Sequence, residues 1–471
     1  MPPTRRPRPS SPTSPPQASA RARATLAVAK QAARRPDLLP ARPDTGGLSP
    51  RDAAFCHAVY DAVLRHWITL EFILDRFLST PLRDLEPTMQ AALLVGAAQI
   101  VALDAVPPHA AVDEAVEWAK ANIRAGAGGL TNAVLRKVSD AAPRTTDGEG
   151  RSVPLTRAAW SLGDDEFPLP SGRSRVLRGL TLPPEPLSRL AIATSHPRAL
   201  IESWHAALAP DQARAVAHHD LGEAPVIINA QHAAPGVASH PALAPHAERG
   251  HFVFVESESS LAQFLASTPG VWAQDPSSSL AVLSVADRSP RRIVDLCAGR
   301  GTKTRQLRAL FPRADIIATD VDDARRAGLA EVFAADARVR VCPHAEALDR
   351  ARAAADLVLL DVPCSNTGVL ARRLEAKYRA SHQQTERLVD LQRHILAQAA
   401  ELLAPDGSIL YATCSLERAE NHGQAVWAAR ALGLRVSRER CTLPAGLPGD
   451  PASTYRDGSY SVLLSRPSAA P

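Results

Sequence analysis

From Arg291 onward the chain alternates short apolar runs with amphipathic segments of helical period, and no other feature limits the fold as strongly. The runs are "RIVDLC", "DIIATD", "DLVLLDV" and "SILYAT". Between and after them stand "TKTRQLRALF", "DDARRAGLAEVF", "QTERLVDLQRHILAQAAELL" and "AENHGQAVWAARAL". Short apolar runs separated by helices predict an α/β domain over 286–470, a doubly wound, Rossmann-like parallel sheet with helices on both faces. In such a sheet ligands gather at the carboxyl ends of the strands.

The rest of the chain reads differently. Residues 1–36 carry eight Lys and Arg and no acid among many Pro, Ser and Ala, so a disordered basic tail is expected over 1–48, either an arm that touches nucleic-acid phosphate or a solvated extension. Over 49–141 apolar residues recur at spacings of three and four, as in Ala54, Phe55, Ala58, Val59, Ala62 and Val63, and predict an all-α unit. Pro87 and Pro108 stand near helix starts, where proline is tolerated. A Pro-, Gly- and Ser-rich stretch at 142–185 reads as a linker with short helices. Helices at "PRALIESWHAAL" and "PDQARAVAHH" and strands at "APVIINA" and "HFVFVES" make 186–285 a small α/β subdomain.

The strand "RIVDLC" runs into "DLCAGRGTKTRQL", where Gly299 and Gly301 precede a helix. That arrangement brings backbone close to a ligand at a helix N-terminus. It lacks both the dinucleotide GxGxxG pattern and the GK[ST] of a P-loop. Asp320 ends the second strand nineteen residues after Gly301, placed to accept hydrogen bonds from ribose hydroxyls. Asp322 reads as a helix N-cap.

Six cysteines are scattered, with no CxxC pair and no metal-ligand spacing, which fits a reducing cytoplasm without disulfides or structural zinc. Cys297 and Cys342 read as buried structural thiols, although Cys297 borders the glycine loop. Cys364 in "DVPCSNTG" and Cys414 in "YATCS" differ, because each follows a strand, sits among polar neighbours and is followed by serine. One reaction that uses two thiols at one spot is methylation of cytosine. Thiolate addition to carbon 6 makes carbon 5 enamine-like and able to take a methyl group, after which the thiolate is expelled. Asp361 is positioned to hold the base edge.

The segments "DVPCSNTGVLARR", "YATCSLERAEN" and "DLCAGRGTKT" resemble the signature motifs of RNA cytosine-C5 methyltransferases that use S-adenosyl-L-methionine. Upstream, "VPPHAAVDEAVEWAK" and "GAGGLTNAVLRKV" resemble a NusB-like RNA-binding domain. "SHPRALIESW" and "QDPSSSLAV" resemble the middle region of the RsmB (Sun/Fmu) family, which acts on small-subunit ribosomal RNA. The resemblance covers about residues 50–140 and 190–470. It implies that Cys414 is the nucleophile, that Cys364 assists release, and that Asp361 lies near methyl donor and base. It also implies that Cys297, Ala298, Gly299, Arg300, Gly301, Thr302 and Lys303, with Asp320 and Asp361, hold S-adenosyl-L-methionine. The small subdomain at 186–285 would contact RNA. The family's "APGGKT" is here "GRGTKT", which puts a Cβ at Thr302 where backbone conformation and cofactor approach are at stake. After the third strand, His344 and Glu346 both stand open as an adenine contact.

The expected protein is therefore a cytoplasmic monomer that methylates carbon 5 of a cytosine in 16S ribosomal RNA, with no metal and no membrane. Two other readings stay open: a non-catalytic RNA-binding assembly protein with a weakened cofactor loop, and the same chemistry on another RNA such as tRNA.

Overall fold

The computed structural model describes residues 19–255 and 260–467, in two compact units. The first comprises residues 19–34, Ala41–Val63 and Leu74–Ser139 and is helical. Its helices are α1 (Ala20–Ala32), most of α2 (Pro50–Asp75), α3 (Pro87–Val101), α4 (Pro108–Asn122) and α5 (Ala127–Ala141). Every residue of α3 from Met89 to Val101 is buried, and all but Gln90 and Gln99 are apolar or glycine, so this helix is the core of the unit.

Helix α1 is a correction, because the sequence reading carried disorder through residue 48. Ser19 caps it by accepting from the Ala22 amide, and Ala20, Ala24 and Val28 bury one face at helical spacing. Averaging over a proline-rich flank hid that local pattern. Residues 1–18 of the expected tail lie outside the described residues.

In the second unit, 142–185 is not a linker with short helices. Strands Thr156–Arg157, Ser174–Val176 and Glu166–Pro168 form an antiparallel sheet, and Arg144–Thr146 pairs with Ser152–Pro154. Buried Glu166 organises the loop, accepting from the Ser161 and Gly163 amides and the Ser161 hydroxyl. Then come α6 (Pro186–Ala193), α7 (Arg198–Ala207), α8 (Pro210–His219), a four-stranded antiparallel sheet that includes Ile227–Asn229 and His251–Phe254, α9 (Leu261–Ser267) and α10 (Pro276–Leu283).

The large sheet has seven strands: β1 (Arg292–Asp295), β2 (Asp315–Ala318), β3 (Val339–Val341), β4 (Ala355–Asp361), β5 (Leu403–Thr413), β6 (Arg435–Thr442) and β7 (Ser459–Ser465). They lie in the order 3-2-1-4-5-7-6. The first five run parallel as expected, and β7 is antiparallel to β5 and β6. Alternation along β4 sends Leu357 and Leu359 to one face and Val358 and Leu360 to the other. The first face is covered by α10, α11 (Thr302–Leu310) and α12 (Asp323–Val332). The second is covered by α13 (His344–Ala351), α14 (His382–Leu402) and α15 (His422–Ala431). Each fully buried aliphatic side chain stabilises by about 1.5–3 kcal/mol. The sheet body therefore carries the stability, and its strand tips are left for polar work.

Candidate active site

At the tip of β1 the chain turns through 297–301 into α11. Gly299 has φ +55° and Gly301 φ +83°, conformations that L side chains rarely adopt. At Gly301 a Cβ would also lie 2.7 Å from Leu329 Cδ1 and 2.8 Å from Phe333 Cε2, whereas a Cβ on Gly299 would meet nothing within 4 Å. One glycine is thus demanded by packing against α12, and the other borders open space. Thr302 is the first helical residue of α11, a position without positive φ, so the missing third glycine strains nothing.

Asp320, just beyond β2, fastens this loop to the neighbouring strand. Its Oδ2 accepts the Gly299 amide at 3.0 Å and its Oδ1 accepts the Asp322 amide at 2.9 Å. Asp322 in turn caps α12 by accepting from the Arg325 amide. Below the loop, buried Asp295 accepts from Thr304 Oγ1 at 2.6 Å while its Oδ1 has no partner. Burial pushes this carboxyl up to about 7, with Thr304 opposing and the charge of Asp361 adding to the rise. A positive-φ loop opening to free space at a helix N-terminus, beside a strand-tip carboxylate, fits a nucleoside cofactor.

The second pair of tips belongs to β4 and β5, which run side by side with Asp361 opposite Ala412. Cys364 and Cys414 follow within three residues, and their sulfurs lie 3.3 Å apart. Asn366, at φ +63°, places its Oδ1 3.3 Å from the Cys414 sulfur and donates its Nδ2 to the Cys364 carbonyl at 2.8 Å. The Gly368 amide donates to the Cys414 carbonyl at 2.8 Å, and a Cβ on Gly368 would sit 2.8 Å from that same oxygen.

The serine that follows each cysteine ties one loop to the other. Ser365 Oγ and Ser415 Oγ are 2.9 Å apart. Buried Glu420 accepts the Ser365 amide at 2.9 Å, Gln392 Nε2 at 3.1 Å and Ser415 Oγ at 3.2 Å. Burial raises the Glu420 carboxyl against the pull of Ser365 and Gln392. The two motifs are one clamped unit.

Cys364 is held well above the usual thiol range, first by its hydrogen bond to Cys414, then by burial, then by the charges of Cys414 and Glu420. Cys364 is therefore held as a neutral thiol, with its sulfur 3.3 Å from that of Cys414. Lys303, in the first turn of α11, donates to Asp361 Oδ2 at 2.7 Å. Burial alone would depress its ammonium, but Asp361, Cys414 and Asp295 outweigh that and raise it. Lys303 thus links the glycine loop to the thiol tips.

The structure gathers Cys414, Cys364, Asp361 and Lys303 in one cluster, and Gly299, Gly301 and Asp320 in the adjoining loop. Ala298 is buried and Arg300 exposed at either side of Gly299. Cys297 is a neutral thiol raised by burial. The two third-strand alternatives are engaged elsewhere: His344 with Gln398 at 3.4 Å and Glu346 with Arg350 at 2.6 Å. Sequence reasoning missed Asn366, Asp295 and Glu420. Asn366 has a signal in its Asn-Thr-Gly context, which favours a left-handed residue.

Sheet order, cofactor-type loop and strand-tip thiols together define a methyltransferase. The model of the 16S rRNA methyltransferase RsmB/F family matches residues 282–438, and that of the NusB family matches 21–140. Ribosomal RNA small subunit methyltransferase B of Sodalis glossinidius is 30% identical over 455 residues, covering 94% of this chain and 96% of that one. The Vibrio cholerae protein of the same name is 28% identical over 442 residues, covering 89% and 91%. The crystal structure of PH0851 shares the fold, with a TM-score of 0.66 at 18% identity over 94% of this chain and 98% of that one. The chain belongs to the ribosomal RNA small subunit methyltransferase B family.

No helix among the described residues is long and apolar enough to cross a membrane, and no cluster of three or more His, Cys, Asp or Glu suited to a metal occurs among them.

Proposed function

We infer that this protein methylates carbon 5 of a cytosine in small-subunit ribosomal RNA through a bond between the Cys414 sulfur and carbon 6. The observation that carries this reading is the 3.3 Å separation of two thiols at adjacent strand tips beside the Lys303–Asp361 pair. S-adenosyl-L-methionine, held by the 297–303 loop and by Asp320 at its ribose, supplies an electrophilic methyl group.

The remaining work belongs to the chain. Asp361, fixed by Lys303, holds the amino edge of the base. The Cys414 thiolate adds to carbon 6, the aromatic bond opens, and carbon 5 becomes nucleophilic. While Cys414 is anionic, the Cys364 thiol donates to it and stays protonated. Once carbon 5 carries the methyl group, Cys364, having released its own proton to solvent, takes the hydrogen from carbon 5. The electrons of that C–H bond rebuild the 5,6 double bond and expel Cys414 as thiolate.

RNA methylated at a base must expose that base, which suits an unpaired cytosine in ribosomal RNA. The cytoplasm is the compartment of such a substrate, and the reading needs only one copy of the chain. The helical conformation of Thr302 supports the catalytic reading over a non-catalytic scaffold, since that part of the altered loop needs no glycine. The test is transfer of radiolabel from S-adenosyl-L-methionine to unmethylated small-subunit RNA. Wild type should label cytosine and Cys414→Ala should not. Label in Cys414→Ala would overturn the assignment of roles.

A further inference from the structure

A cleft of about 480 Å³ opens on one side of Cys364, within the size range of small-ligand sites. Its walls are the Cys364–Thr367 loop, the Glu417–Ala419 segment and one stripe of α7, where Ala199, Ser203 and Ala206 lie at helical spacing. Gly299, Gly301, Lys303, Asp320 and Asp361 do not line it. The cleft therefore lies apart from the cofactor loop, on the Cys364 side of the thiol pair.

The lining has the mixture a nucleotide requires. Ala199, Leu200, Ala206 and Ala376 give a low apolar wall for a base, while Gln384 offers a hydrogen-bonding amide. Two arginines reach the cleft, and they differ in what they are free to do. Arg379 is committed, donating to the Leu38 carbonyl and lying 3.7 Å from Glu375. Arg418 is exposed and has no carboxylate partner among the described residues. The one acid at the cleft, Glu417, is buried and accepts from Ser203 Oγ at 2.6 Å, and burial raises its carboxyl. An anion at Arg418 therefore meets a cation with little opposing charge.

We propose that this cleft binds the nucleotide covalently adjacent to the target cytosine, its base against the α7 wall and its phosphate on Arg418. The proposal rests on the RNA reading above, because a base held at the thiol pair has to continue as a chain through one of the openings beside it. The site selects for an unpaired neighbour, since a stacked and paired base would not enter a cleft of this size.

Binding of a fluorescent single-stranded RNA oligonucleotide, read by anisotropy, separates this site from methyl transfer. Arg418→Glu should weaken binding by about tenfold, and Arg418→Ala should lower the slope of log affinity against log salt by about 1. Ala206 is exposed, so Ala206→Trp fills the cleft without disturbing a core and should weaken binding comparably without altering that slope. Weakening by Arg418→Glu alone would mark a surface cation and overturn the site, as would unchanged binding in both variants. Loss of label transfer with intact cleft-dependent binding would instead count against the methylation reading alone.

Discussion

The tips of β1 and β2 and the tips of β4 and β5 each hold an irregular loop in one conformation, by different means. The first loop is held by backbone: two positive-φ glycines, one pressed against Leu329 and Phe333, and a single carboxylate reaching across from Asp320. The second is held by side chains: Glu420, Gln392, Ser365 and Ser415 form a buried network that clamps two cysteine loops together. Backbone restraint leaves open space beside Gly299, which suits a cofactor that brings its own shape. Side-chain restraint fixes two sulfurs against each other, which suits covalent chemistry sensitive to tenths of an ångström.

That contrast can be broken one end at a time. The largest effect is expected from Gly301→Ala, which adds both a strained φ and a Cβ inside contact distance of Leu329 and Phe333. It should cost about 2–4 kcal/mol in thermal or denaturant unfolding and weaken S-adenosyl-L-methionine binding by more than about tenfold in calorimetry. The mild oxidant diamide, which takes up two hydrogens as a disulfide forms, should still couple Cys364 to Cys414 in this variant, since their clamp is elsewhere. Next comes Glu420→Leu, which leaves the Ser365 amide, Gln392 and Ser415 without their acceptor and should cost about 2–3 kcal/mol. Here the dissociation reverses: diamide coupling slows, as followed by mass spectrometry, while cofactor affinity stays within about twofold of wild type.

A smaller effect concerns pH. Asp295 has a folded-state pKa of about 7, above its unfolded value of about 3.9. The folded chain thus holds a proton that the unfolded chain gives up, and the contribution of Asp295 to wild-type stability falls as pH rises from about 4 to about 7. Asp295→Asn lacks that titration, so its stability relative to wild type should climb over the same window and level off near neutrality. A parallel pH dependence in both proteins would show that Asp295 ionises normally. The smallest effect is expected from Thr302→Gly. Because Thr302 is helical, restoring the family glycine should lower stability by under about 1 kcal/mol and leave cofactor affinity unchanged. A marked gain in affinity would show that the Cβ does obstruct the loop.

The same contrast governs what the sequence could reveal. Glycines before a helix and an acid at the next strand tip are local, so the turn into α11 and the placing of Asp320 beside it were legible from spacing. Cys364 and Cys414 were legible as strand-tip residues, because parallel neighbours must bring their tips together. Their clamp was not, since Glu420 joins residues 365, 392 and 415 through contacts that exist only after the strands pair. Strand β6 also escaped notice: "RVSRERC" is exposed and charged, as befits a sheet edge that resists further pairing, and it carries no apolar alternation. Helix α1 was masked by its proline-rich flank, although Ala24 and Val28 have the spacing of a buried stripe.

The central claim is that the two sulfurs serve one pyrimidine in different roles, attack and release. It is tested most directly by incubating Cys364→Ala with S-adenosyl-L-methionine and unmethylated small-subunit RNA, denaturing, digesting, and identifying by mass spectrometry which peptide carries a nucleotide. The account predicts a stable adduct on Cys414, with the pyrimidine already methylated. A nucleotide on Cys364 in wild type, or efficient turnover by Cys364→Ala with no adduct, would contradict it.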